Sequence, residues 1–292
     1  MKKCILFFIF LILALGGCTS SVSADIAATT APVYQFTAAL CQGTDLTVTQ
    51  LVTENVSCLH DYSLTVHQVK ALEQAQLVVL SGGGLEDFMS GVLEGKQILD
   101  AGKGITLLEN CHDHDHGHSH DDHGHDHESD PHFWLSPACA KQMVQNICAG
   151  LKAQYPAYAA TFDKNLQALN KKFDDLQTYG KQQLADLSCR ELITFHDGFS
   201  YFAHSFDLEI LRAVEEESGS EASAAELKEL ISLAREHSLP AIFTEVNGSV
   251  SAAGIIAAET DTKIFTLTMA MADVDYFEAM YQNINTVKEA LG

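Results

Sequence analysis

The sequence has little positive charge. Its 292 residues include 17 lysines and arginines against 39 aspartates and glutamates, which leaves a formal net charge of −22 at pH 7. A chain this acidic is a poor partner for nucleic acid or for anionic membrane surfaces, and it favours cations as ligands. Hydrophobic residues still make up 47% of the chain, enough for two globular domains of ordinary size.

The N-terminus lacks a hydrophobic run long enough to span a membrane. The apolar run there, Ile5 to Leu15, is short and follows two lysines, as in a secretion signal. The sequence LGGC that ends at Cys18 resembles a bacterial lipoprotein cleavage site. We therefore expect a signal peptide over residues 1–17, a lipid on Cys18 and a tether over residues 18–24, which would anchor an extracytoplasmic protein to the cell membrane. An ordinary cleaved signal peptide is the alternative.

The cysteine spacing of a structural zinc site is also absent, since no two cysteines form a CxxC pair. Export makes disulfides possible, and the sequence does not choose between the pairings of the six cysteines that remain after Cys4 and Cys18. A bridge from Cys58 to Cys111 is one hypothesis, because each lies just before a histidine-bearing segment. The six are Cys41, Cys58, Cys111, Cys139, Cys148 and Cys189.

Histidine, by contrast, is concentrated in one segment, interleaved with aspartates and separated by small residues. Such a segment has almost nothing apolar to bury, so we expect a mobile loop over residues 112–129. Imidazole and carboxylate groups bind zinc, copper and nickel, so the composition indicates metal capture, although a solvated linker whose histidines only titrate would look the same. The accessory candidates are His112, His114, His116, His118, His120, His123, His125 and His127.

The composition of the chain changes directly after this loop, from polar residues to prolines and large aromatic residues. His132 stands between two prolines and beside the only tryptophan, in the sequence DPHFWLSP that begins at Asp130. Prolines and a large aromatic ring restrict this segment, so His132 can be held in a fixed position. We interpret the loop as a loose collector of ions and His132 as a member of an ordered site.

Short apolar strands alternate with helices in both halves of the chain, which predicts an α/β fold with parallel sheets. We assign residues 25–137 to a first lobe and residues 189–292 to a second. Residues 138–188 are predicted to be helical, with one long helix from Tyr158 to Leu187 as a rigid strut. The predicted strands are Ile26–Ala31, Leu46–Val52, Leu77–Leu80, Ile105–Leu108, Glu191–Phe195, Leu208–Ala213, Ala241–Thr244 and Lys263–Leu267.

Three histidines share a position relative to these strands. His60 follows the second strand's loop, His132 follows the fourth strand's long loop, and His196 directly follows Phe195. Ligands of open α/β sheets bind beyond the carboxyl ends of strands, so we expect the three to meet in a cleft between the lobes. Three neutral imidazoles make a tetrahedral zinc centre that lacks one ligand. Glu245, at another strand end, could supply that position or hydrogen-bond to it.

Five segments together resemble the metal-binding subunits of bacterial ABC importers, the zinc and manganese solute-binding family. The resemblance covers essentially the whole mature chain and is closest to the zinc members, which often carry a histidine-rich loop. It implies two α/β lobes, each a parallel-sheet sandwich, joined by one long helix, with the ion held between them. The implied ligands are His60, His132 and His196. The segments are His60–Thr65, Val69–Leu72, Asp130–Leu135, Phe195–Phe199 and Glu217–Glu221.

The resemblance also implies a transport function. Such a protein captures Zn²⁺ and delivers it to the permease and ATPase subunits of an ABC importer, and we expect a lipid-anchored monomer. Manganese is less favoured, because manganese members usually have a glutamate where this chain has His196. The fourth ligand stays open, since Leu267-Thr268-Met269 replaces the family's Asp-Pro pair and residue 59 is leucine. Water, Glu245 and a loop histidine are the candidates.

Two other functions fit parts of the pattern. Three histidines with an open fourth position also describe a catalytic zinc, but we expect no enzyme, because the chain has no HExxH motif to supply a general base. An extracellular metal buffer or adhesin would need only the histidine-rich loop. Genes for a permease and an ATPase beside this gene would separate transport from both alternatives.

Overall fold

The structure is a computed structural model that describes residues 24–54, 56, 59, 62–108, 129–214, 222–246, 250–271 and 274–292. The strands of this part of the chain form two four-stranded sheets, one in each half of the sequence. All strand pairs are parallel. The predicted fold class, two α/β lobes with parallel sheets, is confirmed.

The sheet of the first lobe has the strand order β2-β1-β3-β4. Its central strand β1 is wholly buried, with Ile26, Ala27 and Ala28 all 0% exposed. The chain runs outward from β1 in both directions, so the topological switch point lies between β1 and β3. The elements are β1 (Ile26–Ala28), α1 (Ala31–Cys41), β2 (Val48–Gln50), α2 (Val66–Gln74), β3 (Leu77–Leu80), α3 (Ser90–Leu93) and β4 (Ile98–Asp100).

The second lobe repeats this arrangement, with the strand order β6-β5-β7-β8. Its switch point lies between β5 and β7. Ser223 and Glu226 form a capping box at the start of α7, each side chain bonding the other's backbone N–H. The elements are β5 (Glu191–Thr194), α6 (Ser200–Ser205), β6 (Glu209–Ala213), α7 (Ala224–Glu236), β7 (Ala241–Glu245), α8 (Ser251–Thr260), β8 (Lys263–Leu267) and α9 (Tyr276–Leu291).

Two helices connect the lobes, α4 (Pro137–Gln154) and α5 (Ala159–Gln183). The 25 residues of α5 span roughly 37 Å, and this helix contacts α1 of the first lobe and α9 of the second. Its Phe173 ring lies 5.6 Å from Phe36 of α1 and 5.9 Å from Tyr276 of α9, between ring centroids. The two lobes therefore share one continuous hydrophobic core along the strut.

The fourth strand lies earlier than predicted. Residues Ile105–Leu108 form no strand, and the fourth strand is Ile98–Asp100 instead. The side chains of Ile105, Leu107 and Leu108 pack against the core without a strand partner, so their apolar character reflects burial and not pairing. The connection from the fourth strand to His132 is correspondingly longer than predicted.

Several predictions fall outside the described residues. These include the signal peptide and Cys18, the loop histidines His112–His127, and both Cys58 and Cys111, so the proposed bridge stays a prediction. The described cysteines, Cys41, Cys139, Cys148 and Cys189, are free thiols. In the described ranges, no helix has the length and apolar character needed to cross a membrane.

Candidate metal centre

The backbone around His132 is fixed by buried aromatic side chains. His132 precedes a 3₁₀ turn over Phe133–Leu135, and Phe133 and Trp134 are both 0% exposed. Ser136 then caps α4 by accepting a hydrogen bond from the Cys139 N–H. A histidine next to these anchors cannot change its backbone position without opening the core.

The ring of His132 is oriented by Asp130. The Asp130 Oδ1 atom lies 2.8 Å from His132 Nδ1 and also accepts the His132 backbone N–H at 2.8 Å. Asp130 is 0% exposed and His132 is 2% exposed. A carboxylate that accepts from Nδ1–H leaves the lone pair on Nε2, which is the tautomer that binds a metal. Asp130 therefore prepares His132 as a ligand through Nε2.

His196 and Glu245 come from neighbouring strands at the switch point of the second sheet. His196 lies just beyond β5, and Glu245 is the last residue of β7, which pairs with β5. Both are buried, and Glu245 Oε2 lies 3.8 Å from His196 Nδ1. Each of the two buried histidines thus has a carboxylate on its Nδ1 side.

The imidazole rings of His132 and His196 lie next to each other. Their ring centroids are 5.2 Å apart and the rings cross at 79°. Two imidazoles on one tetrahedral zinc, with Zn–N bonds of ~2.0–2.1 Å, have centroids about 5 Å apart. The pair formed by His132 and His196 therefore has the spacing of two ligands of one zinc ion.

Gly198 makes room for this pair. A Cβ atom at Gly198 would lie 2.8 Å from Cδ2 of His196, 3.0 Å from Nδ1 of His132 and 2.6 Å from Cε of Met269. These distances are shorter than ordinary van der Waals contacts. Any side chain at this position would displace one of the two rings.

His60 lies outside the described residues, but the chain on both sides of it is anchored. Leu59 is 0% exposed, and its carbonyl accepts the Tyr62 N–H at 3.0 Å. The Tyr62 hydroxyl donates to Glu54 Oε2 at 2.6 Å, and Gln68 Nε2 donates to the Tyr62 hydroxyl. Across the described ranges, no three His, Cys, Asp or Glu side chains form a group that could hold an ion, so the pair needs a ligand from elsewhere.

The segment after the last strand, which has Thr268 and Met269 where the family has an Asp-Pro pair, is held by hydrogen bonds. The Thr268 hydroxyl accepts the Ala270 N–H at 3.1 Å, and Asn283 bonds both the N–H and the carbonyl of Thr268. Met269 contributes its carbonyl to Trp134 Nε1 at 2.8 Å. Thr268 is thus engaged with the backbone of its own turn.

The corresponding edge of the first sheet is filled by a buried carboxylate. Glu86 accepts hydrogen bonds from the Thr29 hydroxyl at 2.5 Å and from the N–H groups of Ser81 and Gly82 at 2.7 and 3.0 Å. Burial raises the pKa of Glu86 from its ordinary value of 4.5 to about 7, and these hydrogen bonds oppose that rise. Next to them, a Cβ at Gly83 would lie 2.7 Å from Cε1 of Phe133, so this glycine turn supports the residue that follows His132.

Two features of the site went unassigned in the sequence. The sequence analysis assigns no role to Asp130. Its position two residues before His132 is nevertheless a signal, because a carboxylate at that spacing could reach the imidazole ring. Gly198 gave no signal, because its requirement depends on three side chains from distant parts of the chain. The structure places His132 beside His196, while their role as zinc ligands and the place of His60 stay predictions.

A family model described as "ZnuA: Zinc-uptake complex component A periplasmic" matches residues 26–290. The chain belongs to this family. It is 29% identical to the high-affinity zinc uptake system protein ZnuA of Bacillus subtilis (strain 168), over 96% of this chain and 94% of that protein. It is 28% identical to the zinc-binding lipoprotein AdcA of Streptococcus pneumoniae (strain R6), over 95% of this chain and 58% of that longer protein.

Solved structures of other proteins have the same fold. A crystal structure of ZnuA aligns with a TM-score of 0.80 and 28% identity, covering 92% of this chain and 99% of that chain. The laminin-binding protein Lmb of Streptococcus agalactiae aligns with a TM-score of 0.79 over 91% of this chain and 99% of that chain. At 23% identity, the second likeness shows the fold alone.

Proposed function

We propose that this chain is the extracytoplasmic zinc-binding protein of an ABC importer, which captures Zn²⁺ and passes it to a membrane permease driven by an ATPase. The observation that carries the proposal is the buried pair of His132 and His196, with ring centroids 5.2 Å apart and a carboxylate beside each Nδ1 atom. Membership of a zinc-uptake family supports the same function.

The ligand set that we propose is His60, His132 and His196. Neutral imidazoles suit zinc better than manganese, which prefers oxygen ligands. The 3.8 Å separation between Glu245 and His196 Nδ1 favours an orienting role for Glu245, and water or a loop histidine would then complete the tetrahedron. A cargo site of this kind needs no general base, in contrast to a catalytic zinc.

The remaining parts of the chain fit the same function. The eight loop histidines would collect ions loosely and raise their concentration near the cleft, and the net charge of −22 attracts cations. Lipid on Cys18 would hold the protein at the outer face of the membrane, beside the permease. We propose that it works there as a monomer.

Zinc titration of the purified chain tests this proposal. Metal-free protein should take up one zinc in competition with a chromophoric chelator, and His60→Ala, His132→Ala and His196→Ala should each weaken that site by about tenfold or more. His67→Ala is the matched control, because His67 is exposed on α2. A second measurement is growth of a strain without the gene in zinc-depleted medium.

Transport and the alternatives give different results. A buffer or adhesin would bind several weak equivalents through the loop, and the three alanine variants would leave its affinity unchanged. An importer component would restore growth only when the permease and ATPase genes are intact. Wild-type zinc affinity in His132→Ala would contradict the proposed site.

A further inference from the structure

Two tyrosine hydroxyls from the second lobe hold the backbone on either side of His132. The Tyr201 hydroxyl donates to the carbonyl of Asp130 at 3.1 Å, and the Tyr276 hydroxyl donates to the carbonyl of Trp134 at 2.7 Å. These carbonyls lie two residues before and two residues after His132. The histidine is therefore bracketed by contacts from elements that follow it in sequence by many residues.

Tyr201 belongs to α6, only five positions after His196. Besides donating to Asp130, its hydroxyl accepts the Leu108 N–H at 2.8 Å. Its ring crosses that of Phe133 at 80°, with centroids 6.1 Å apart. The residue is 3% exposed, and burial raises its pKa to about 12, so the hydroxyl keeps its proton and can donate at any physiological pH.

Tyr276 is the first residue of α9 and is 1% exposed. Its backbone N–H donates to Gln35 Oε1 at 2.8 Å, and its ring lies 4.8 Å from that of Phe36. A second bond crosses at the same place, from Trp134 Nε1 to the Met269 carbonyl at 2.8 Å. Buried hydrogen bonds that cross between elements cannot be exchanged for water without exposing both partners.

We infer that Tyr201 and Tyr276 are positioning residues for His132, and that they fix it to the second lobe beside His196. Two of the proposed ligands are then assembled before an ion arrives. The inference rests on the proposed zinc site, and it adds that the geometry of this site depends on side chains that never touch the ion.

Tyrosine-to-phenylalanine variants test this inference, because they remove a hydroxyl and keep the packing of the ring. Tyr201→Phe and Tyr276→Phe should each weaken zinc binding by about tenfold, the lower range for lost supporting contacts around metal ligands. Tyr179→Phe is the matched control. Its hydroxyl joins α5 to α9 by donating to Asn285 Oδ1 at 2.6 Å, and zinc affinity should not change.

A double-mutant cycle separates positioning from a general loss of stability. If the tyrosines act through His132, Tyr201→Phe should lower zinc affinity no further in a His132→Ala background. Cobalt-substituted protein should show a changed visible absorption spectrum for the two variants and not for the control. An equal fold-loss in both backgrounds, or unchanged affinity and spectrum, would overturn the inference.

A metal-free measurement keeps this test independent of the proposed function. The imidazole nitrogen signals of His132 in a ¹⁵N spectrum should shift in Tyr201→Phe and Tyr276→Phe and remain in place in Tyr179→Phe. If these signals shifted but the chain bound no zinc, the zinc site would be refuted and the positioning role would still be supported. Unshifted His132 signals would refute the positioning role even if zinc binds tightly.

Discussion

Asp130 Oδ1 lies 2.8 Å from Nδ1 of His132, and both side chains are closed off from solvent. The same oxygen also accepts the His132 backbone N–H, so one carboxylate fixes both the ring and the chain that carries it. This arrangement defines which nitrogen faces the cleft before any ion is present. The first prediction concerns the charge on this carboxylate.

Asp130→Asn should weaken zinc binding by about tenfold. An asparagine oxygen can still accept from Nδ1–H, but it no longer supplies a negative charge that strengthens the imidazole as a donor. Competition titration measures the effect. Asp174→Asn is a suitable control, since Asp174 is exposed and pairs with Lys141 on the helix surface. Equal affinities for the two variants would show that Asp130 is not needed.

Gly198→Ala should also weaken zinc binding by about tenfold or more, because the new methyl group would lie within 3.0 Å of both histidine rings. Gly254→Ala is the matched glycine control, since nothing lies within 4 Å of its added Cβ in α8. That control should retain zinc affinity and gain about 1 kcal/mol of stability from helix propensity. Binding is measured by calorimetry, and wild-type binding by Gly198→Ala would contradict the close packing.

Deleting residues 113–126 should leave one tight zinc site and remove several weaker equivalents. The loop has no apolar residues with which to fix a coordination geometry, whereas His132 and His196 are held by buried contacts. Metal analysis after dialysis gives the stoichiometry, and a polar loop of equal length without histidine serves as the control. Loss of the tight site in both variants would identify a loop histidine as the fourth ligand.

Stability should fall as pH rises from about 4.5 to about 7 because of Glu86. Its pKa is raised by burial from 4.5 to about 7 in the folded chain, so in this window the folded state retains a proton that the unfolded state has released. The contribution of Glu86 to the free energy of unfolding then decreases with pH, by an amount on the order of 3 kcal/mol, and is constant above this range. Urea unfolding across the window measures it.

Glu86→Gln isolates this contribution, because an amide does not titrate. The difference between the wild-type and variant unfolding free energies should change between pH 4.5 and 7 and be level on either side. A difference that stays constant across the window would show that Glu86 is ionised throughout, held by Thr29 and the N–H groups of Ser81 and Gly82.

The sequence was sufficient for the elements with strong local signals. Strands Leu77–Leu80 and Lys263–Leu267 have the predicted bounds. The wrong assignment was Ile105–Leu108, whose apolar residues pack without pairing, while the strand is the short segment Ile98–Asp100 with one buried residue. Hydrophobicity alone does not distinguish a buried loop from a strand, since both remove side chains from water.

The candidate site, like the fold, could be predicted from the sequence only in part. The rule that ligands lie beyond strand ends was enough to associate His132 with His196. This rule did not identify the supporting residues. Tyr201 and Tyr276 act through backbone carbonyl groups, and because every residue has a carbonyl, such contacts leave no signal in the sequence. Such contacts depend on the packing of α6 and α9 against the segment after the loop, which local patterns do not encode.

The hydrogen bond from the Asp130 N–H to the Leu108 carbonyl, 3.0 Å long, joins two residues that stand on either side of the histidine-rich segment in the sequence. The entropic cost of closing a flexible loop between two fixed ends grows only slowly with the length of the loop. The number of histidines between these two residues could therefore be changed by design while the contact of Asp130 with His132 is kept. Under the proposed function, weak zinc binding by this segment and tight binding by the buried histidine pair would then be separately adjustable properties of one chain.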